Sequence, residues 1–122
     1  MPKENENENE PQLYVNDGCS KCRSAVAILE EKSVEARHVR YLDEPPTPAD
    51  LQRLMLMLAI HDPRMMMRTG EAVYAELGLA DASPAELLDA ITRHPILLER
   101  PIFVVGDRAV IARPPERLLE LL

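Results

Sequence analysis

The chain has 122 residues, of which 46% are hydrophobic and 3% aromatic, and its formal net charge is −7. This length fits a single compact domain, and an acidic chain without a basic stripe or stacking aromatics is unsuited to nucleic acid or to an anionic membrane surface. The longest apolar run, over 54–60, is too short to span a membrane, and no secretory signal is visible at the start. Two cysteines in a chain without an export signal suggest a reducing cytosol rather than a disulfide scaffold, so we expect a cytoplasmic protein, and we also expect a monomer.

The first eleven residues alternate Glu and Asn and contain almost no apolar side chain. Such a segment cannot bury enough surface to offset its chain entropy. Residues 1–11 are therefore predicted to be a disordered acidic tail, and the folded domain is expected to cover residues 12–122.

The first predicted elements form a β-α-β unit. Apolar residues over 12–16 run into Asn-Asp-Gly, which predicts a strand followed by a loop. The apolar spacing predicts a helix over 20–32, and residues 36–42 are predicted to be the second strand. Because a helix separates the two strands, they must be parallel.

The middle of the chain carries helix signals only. Thr47 and Ser83 each precede a proline, which is the arrangement of an N-cap followed by proline at the first helical position. Asp62 before Pro63 repeats this signal. The segments predicted to be helical here are 48–60, a start at 62–63, 71–77 and 84–93.

The last part of the chain predicts a β-β-α unit. A Gly-Asp turn joins residues 102–105 to residues 109–112, which indicates an antiparallel hairpin, and Pro114 and Pro115 open a final amphipathic helix. A βαβ unit followed by a ββα unit is the plan of thioredoxin. We therefore expect an α/β protein with a thioredoxin-like mixed sheet and an all-helical insertion.

Cys19 and Cys22 form a C-x-x-C pair where the first strand passes into the first helix. The free N–H groups and the dipole at a helix N-terminus favour thiolate, and Lys21 and Arg23 add positive charge. This position in a βαβ unit is typical of thioredoxin-like redox chemistry, although two inert buried cysteines are the alternative. The three histidines lack the spacing of a second ligand pair, so no metal site is predicted.

Three arginines, Arg68, Arg100 and Arg113, are the second candidate group. Each by itself is most simply a solvated surface residue. In a thioredoxin plan, however, Arg100 precedes the strand whose leading proline, Pro101, is expected to be cis and to face the nucleophilic loop. Arg113 closes the hairpin at the same end of the sheet. Planar, permanently charged guanidinium groups suit a tetrahedral oxyanion.

Several motifs follow one another in order from residue 13 to the end of the chain. They are LYVNxxCxxxR from residue 13, YLxxPP from 41, Arg68, YxxLGL from 74, HPILxxRP from 94 and RP at 113. Together they resemble the glutaredoxin-coupled arsenate reductase family of thioredoxin-fold proteins. The resemblance implies that Cys19 attacks the arsenic of arsenate while Arg68, Arg100 and Arg113 hold the oxyanion. It implies no bound cofactor, because an external thiol, glutathione with glutaredoxin or else thioredoxin, supplies the electrons.

The same resemblance assigns the remaining motif residues. Arg23 becomes an auxiliary positive charge near the thiolate, Asn16 a substrate-binding loop residue, and Pro101 the cis proline of the family. Two positions depart from the pattern. Val15 stands where these enzymes carry a histidine, and Cys22 stands where they carry serine or another small residue.

Cys22 leaves several interpretations open. It resolves the Cys19 adduct, forms a switch disulfide, or is a spectator facing the helix interior. A C-x-x-C at this site also resembles the Spx-type redox-sensing regulators of the same superfamily, which generally lack the full arginine set. We predict thiol-dependent reduction of an oxyanion, arsenate to arsenite. The alternative is a non-catalytic redox sensor or regulatory adaptor that uses a Cys19–Cys22 disulfide.

Overall fold

A computed structural model describes residues 10–122, so the disorder predicted for the tail falls outside the described residues over positions 1–9. The chain divides into two compact units. The first, here called the sheet unit, holds the chain up to Arg40 together with Arg100–Leu122. The second, the helical unit, is Tyr41–Glu99 and contains the predicted insertion.

The sheet unit is built on four strands in the order β2-β1-β3-β4. Their bounds are β1 Gln12–Tyr14, β2 Arg37–Val39, β3 Ile102–Val105 and β4 Arg108–Ile111. β1 pairs in parallel with β2 and antiparallel with β3, and β3 pairs antiparallel with β4. The predicted mixed thioredoxin-like sheet is confirmed.

The ends of the strands differ from the sequence prediction. β1 and β2 are each three residues long, shorter than the apolar runs that predict them. Beyond β1 one more bond follows, in which the Val15 N–H donates to the Val39 carbonyl at 3.0 Å. On the other side, the Arg37 N–H donates to the carbonyl of Pro11 at 2.8 Å. Pro11, predicted as part of the tail, therefore contributes a hydrogen bond to this parallel pair.

Helices of two kinds accompany the sheet. Helix α1 (Ser20–Glu31) follows the loop after β1 and packs against the C-terminal segment Pro115–Leu121. That segment is a 3₁₀-helix, in which the Arg117 N–H donates to the Pro114 carbonyl at 3.0 Å. The sequence predicts a helix here but not its 3₁₀ form. The buried core that they share with the sheet includes Leu13, Ala25, Leu29, Phe103, Val110 and Leu118.

The helical unit is organised by local caps. Its helices are α2 Pro48–Leu58, α3 Ala72–Glu76 and α4 Pro84–Arg93, with 3₁₀ turns at Pro63–Met66, Leu79–Asp81 and Pro95–Leu97. Thr47 and Asp50 form a complete capping box at the start of α2, and Ser83 and Glu86 do the same for α4. Both predicted caps are therefore confirmed. Each one satisfies backbone N–H groups that the first turn of a helix leaves without an intrahelical partner.

Candidate active site

Strand register brings the ends of three strands to one edge of the sheet. Tyr14, the last residue of β1, pairs with Ile102, the first residue of β3, and Ile102 also pairs with Ile111 at the end of β4. The loop that follows β1 therefore starts at the same edge as the chain entering β3 and the chain leaving β4. The predicted nucleophilic loop, Arg100 and Arg113 belong to these three segments.

The open end of the β3–β4 hairpin joins two of the predicted arginines. The Ala112 N–H donates to the Pro101 carbonyl at 2.9 Å, and Nη1 of Arg113 donates to the Arg100 carbonyl at 3.1 Å. The Arg100–Pro101 peptide bond is cis, the isomer expected from the sequence. The Arg113–Pro114 bond is also cis, which the sequence analysis did not anticipate.

Asn16 organises the loop that carries the cysteines. Its side-chain Oδ1 accepts the Gly18 N–H at 3.0 Å, and its carbonyl accepts the Cys19 N–H at 3.0 Å. Its own N–H donates to the Sγ of Cys22 at 3.4 Å. The backbone of Asn16 thus contacts the backbone N–H of Cys19 and the thiol of Cys22, while its predicted contact with substrate stays a prediction.

Both cysteines are free thiols in the core of the sheet unit. Cys19 is the N-cap residue of α1 and is 6% exposed, and Cys22 lies one turn further along and is 3% exposed. They pack in the same cluster as Val15, Phe103 and Ala112. Cys19 makes no full side-chain capping hydrogen bond, but the backbone N–H groups of Lys21 and Cys22 in the first turn of α1 still favour its thiolate.

The surroundings of Cys19 favour its thiolate. Burial is the largest single influence and opposes ionisation, but it is outweighed by hydrogen bonds from the backbone N–H and the thiol of Cys22. The positive charge of Arg100 and the N–H of Lys21 act in the same direction. The pKa of Cys19 therefore lies below its ordinary value of 9.0.

Cys22 shows the opposite behaviour. The pKa of its thiol is raised to about 11, mainly by burial and also by its hydrogen bond to Cys19 and the negative charge on that sulfur. The hydrogen bond from Asn16 and the charge of Arg100 only partly offset these influences. The structure thus lowers the pKa of Cys19 and raises that of Cys22, which makes Cys19 the more acidic of the two thiols.

Arg23 lies at the solvent-exposed side of the loop. Its Nη1 donates to the Asp17 carbonyl at 3.3 Å, and the Asp17 carboxylate pairs with Arg40. Among charged side chains, the strongest effect on the pKa of Cys19 comes from Arg100. The auxiliary role that the sequence assigns to Arg23 stays a prediction.

Arg68 belongs to the helical unit. Its N–H donates to the Leu97 carbonyl at 2.7 Å, next to an isolated antiparallel bridge between Met67 and Leu98. Its Nη1 lies 2.9 Å from Oε2 of Glu71. The sequence analysis did not single out Glu71, although an Arg-x-x-Glu spacing is the signal that could have found it. The role of Arg68 in oxyanion binding stays a prediction.

Arg64 is a second residue that sequence reasoning missed. Its Nε donates to the Tyr74 hydroxyl at 3.1 Å. Its Nη2 donates to the carbonyls of Leu79, Ala80 and Ala82 at 2.8, 3.0 and 3.0 Å. One guanidinium group therefore joins the turn at Pro63–Met66 to the segment that precedes α4. We call this set of contacts the Arg64 hub. No local sequence pattern predicts it, because the partners of Arg64 include backbone carbonyls distant along the chain.

Within residues 10–122, no group of three or more His, Cys, Asp or Glu is arranged to hold a metal ion. No helix in the same range combines the length and apolar character needed to cross a membrane.

Comparison with known proteins places these features in a family. The family model described as the ArsC family matches residues 14–121. The chain is 44% identical to the arsenate reductase of Haemophilus influenzae over 112 residues, which cover 90% of this chain and 97% of that protein. It is 42% identical to the uncharacterized protein YfgD of Escherichia coli, over 90% of this chain and 94% of that one.

A solved structure agrees with the sequence comparisons. The arsenate reductase from Vibrio cholerae has a TM-score of 0.90 and 39% identity, covering 93% of this chain and 98% of its own. Its similarity therefore extends over both the sheet unit and the helical unit. The chain belongs to the ArsC family.

Proposed function

We propose that this protein is an arsenate reductase that converts arsenate to arsenite through a covalent adduct on Cys19. The observation that supports it best is the lowered pKa of the Cys19 thiol beside the positive charge of Arg100. The guanidinium of Arg113 contacts the Arg100 carbonyl, so two permanent positive charges belong to this edge of the sheet. The arsenate reductases among the similar proteins support arsenate as the substrate.

The first step forms a bond between sulfur and arsenic. The Cys19 thiolate attacks the arsenic of bound arsenate, and one arsenate oxygen takes up protons and leaves as water. Arg100 and Arg113, with Arg68 added by the family resemblance, neutralise the charge of the dianion. This neutralisation is what makes the approach of an anionic nucleophile feasible, and hydrogen-bond donors fixed in advance serve it without reorganising.

The second step assigns Cys22 as the resolving thiol. Its sulfur attacks Sγ of Cys19, the new S–S bond forms, and the S–As bond breaks with its electron pair passing to arsenic as arsenite. Cys22 is a poor nucleophile while Cys19 is ionised, because burial and then the Cys19 thiolate raise its pKa. Adduct formation removes the thiolate charge, so Cys22 ionises more readily when it is needed.

The electron donor follows from this assignment. The intramolecular Cys19–Cys22 disulfide is reduced back to two thiols by an external dithiol protein such as thioredoxin or glutaredoxin, which is itself oxidised to a disulfide, and the cycle uses no resident cofactor. The neighbouring thiol has a high effective concentration relative to free glutathione, which favours the intramolecular route. If Cys22 is a spectator, glutathione with glutaredoxin resolves the adduct instead.

The decisive experiment is arsenite formation from arsenate by the purified protein. It is run once with glutathione and glutaredoxin and once with thioredoxin and its reductase, and the Cys22→Ser variant is run alongside the wild type. We expect the wild type to turn over with thioredoxin and the variant to require glutathione. Mass spectrometry after a single turnover should show the loss of two hydrogens in the wild type.

Two results would change the proposal. A stable glutathione adduct on Cys19 in the wild type, together with unchanged turnover of Cys22→Ser, would make Cys22 a spectator and leave the reductase intact. Reversible disulfide formation without any arsenite from either donor system would favour the redox-sensor alternative. A sensor needs both cysteines and no oxyanion, whereas a reductase loses activity when Arg100 is replaced.

A further inference from the structure

The ion pair between Arg68 and Glu71 is the starting point of this inference. Nη1 of Arg68 lies 2.9 Å from Oε2 of Glu71, and the two side chains are 27% and 24% exposed. The pair is therefore more shielded than the Asp89–Arg93 pair on α4, whose side chains are 55% and 73% exposed. Shielding from water strengthens an ion pair, so Glu71 is a substantial partner for this guanidinium.

Backbone hydrogen bonds fix the positions of both members of this pair. The N–H of Arg68 donates to Leu97 at 2.7 Å, the N–H of Glu71 donates to the Arg68 carbonyl at 3.2 Å, and the Glu71 carbonyl accepts the Tyr74 N–H at 3.0 Å. Glu71 is the N-cap residue of α3, yet its side chain makes no capping hydrogen bond. Its carboxylate is directed to the arginine rather than to the helix end.

We infer that Glu71 is a built-in competitor of the oxyanion at Arg68 and thereby sets the affinity of this protein for its substrate. The inference rests on the proposed function, in which Arg68 binds arsenate. An anion that reaches this guanidinium must displace the carboxylate or share the group with it. Either way, the negative charge of Glu71 weakens the binding of a dianion.

The same exchange favours release of the product. Arsenate and inorganic phosphate carry one to two negative charges at neutral pH, whereas arsenite is a neutral acid. Once reduction has removed the charge from the arsenic centre, the carboxylate of Glu71 again becomes the best partner for Arg68. Glu71 is thus a specificity-determining residue that tunes substrate affinity, and it takes no part in bond formation.

The test replaces the carboxylate while keeping its size. Glu71→Gln and Glu71→Met remove the charge, and Asp89→Asn is the matched control in a more exposed helical ion pair of the same unit. Two readouts are used: KM and kcat for arsenate, and the dissociation constant of inorganic phosphate from isothermal titration at constant ionic strength. We expect both Glu71 variants to lower KM and the phosphate constant by roughly three- to tenfold. We expect kcat to change less than about twofold, because Glu71 is absent from the reacting atoms.

The outcomes separate this inference from the proposed function. If neither constant falls in the Glu71 variants while Arg68→Lys weakens phosphate binding, Glu71 is not a competitor although Arg68 still binds the anion. If both constants rise, Glu71 positions Arg68 productively and the inference is overturned. If the wild type makes no arsenite but Glu71→Gln binds phosphate more tightly, the proposed reduction fails, while competition between Glu71 and an oxyanion at Arg68 is supported. If Asp89→Asn also binds phosphate more tightly, the gain comes from the loss of any negative charge in this unit, and the inference about Glu71 is overturned.

Discussion

The interactions within the sheet unit differ in range from those that start the helices of the helical unit. In the sheet unit, β1 near the start of the chain pairs with β3 near its end, and the thiols pack against Phe103 and Ala112. In the helical unit, two of the helices begin at capping boxes whose members are three residues apart. The surroundings of the cysteines thus depend on residues distant along the chain, whereas the starts of two helices in the helical unit depend on near neighbours.

The two cysteines show what this difference does to a side chain. Cys19 and Cys22 lie on one helical turn, and yet their pKa values move in opposite directions. Both feel the distant charge of Arg100, but only Cys19 receives the hydrogen bonds that outweigh burial. Reactivity in the sheet unit is therefore a property of the assembled fold, and the following predictions test that conclusion.

The largest expected effect is on the nucleophile of the sheet unit. Cys19→Ser should reduce arsenite formation to background, because a hydroxyl ionises far less readily than a thiol and cannot replace it as the attacking group. Cys22→Ser, one turn further on, is the matched control and should retain the first attack. Arsenite is measured directly in both variants. Residual turnover by Cys19→Ser comparable with the wild type would remove Cys19 from the mechanism.

The next effect concerns the shape of a positive charge in the sheet unit. Arg100→Lys keeps the charge but loses the planar fork, and we expect activity to fall about ten- to a hundredfold, equivalent to about 1.4–3 kcal/mol of lost oxyanion interaction. Arg108→Lys, on the exposed start of β4, is the control. Activity and thermal midpoint are measured together. A lysine variant that keeps its activity but melts earlier would make Arg100 a structural residue.

A smaller effect concerns the ionisation of the two thiols. Alkylation by iodoacetamide, followed by peptide mass spectrometry across a pH series, should modify Cys19 before Cys22 and with a midpoint below pH 9.0. Arg100→Met removes a positive charge that stabilises the thiolate, so the pKa of Cys19 should rise and its alkylation profile should move to higher pH. Faster labelling of Cys22 at pH 6 would contradict the assignment of the nucleophile.

The helical unit offers a test of how local its organisation is. Arg64→Met removes the donors to three backbone carbonyls and to Tyr74. Among the contacts described, the guanidinium of Arg93 pairs only with a carboxylate one turn away, so Arg64→Met should lower the thermal midpoint more than Arg93→Met. The thermal midpoints of the two variants are measured by circular dichroism as the temperature is raised. Equal midpoints would mean that capping alone organises this unit and that the Arg64 hub is dispensable.

Local patterns predicted much of this protein. The caps at Thr47 and Ser83, the strand over Ile102–Val105 and the C-x-x-C at the start of α1 were all readable, because capping, alternation and helical period act over a few residues. The motif order also identified the family. These features depend on neighbours in the chain, and a sequence contains that information directly.

Only the tertiary structure decided the properties that depend on distant partners. The pKa of Cys22 at about 11 arises mainly from burial, and the hub at Arg64 arises from carbonyls on another segment. The hydrogen bond from the Arg37 N–H to the Pro11 carbonyl likewise depends on the pairing of β1 with β2, which the sequence of either strand alone does not show. Burial, charge and hydrogen bonding act through space, so their balance exists only once the chain has brought these groups together.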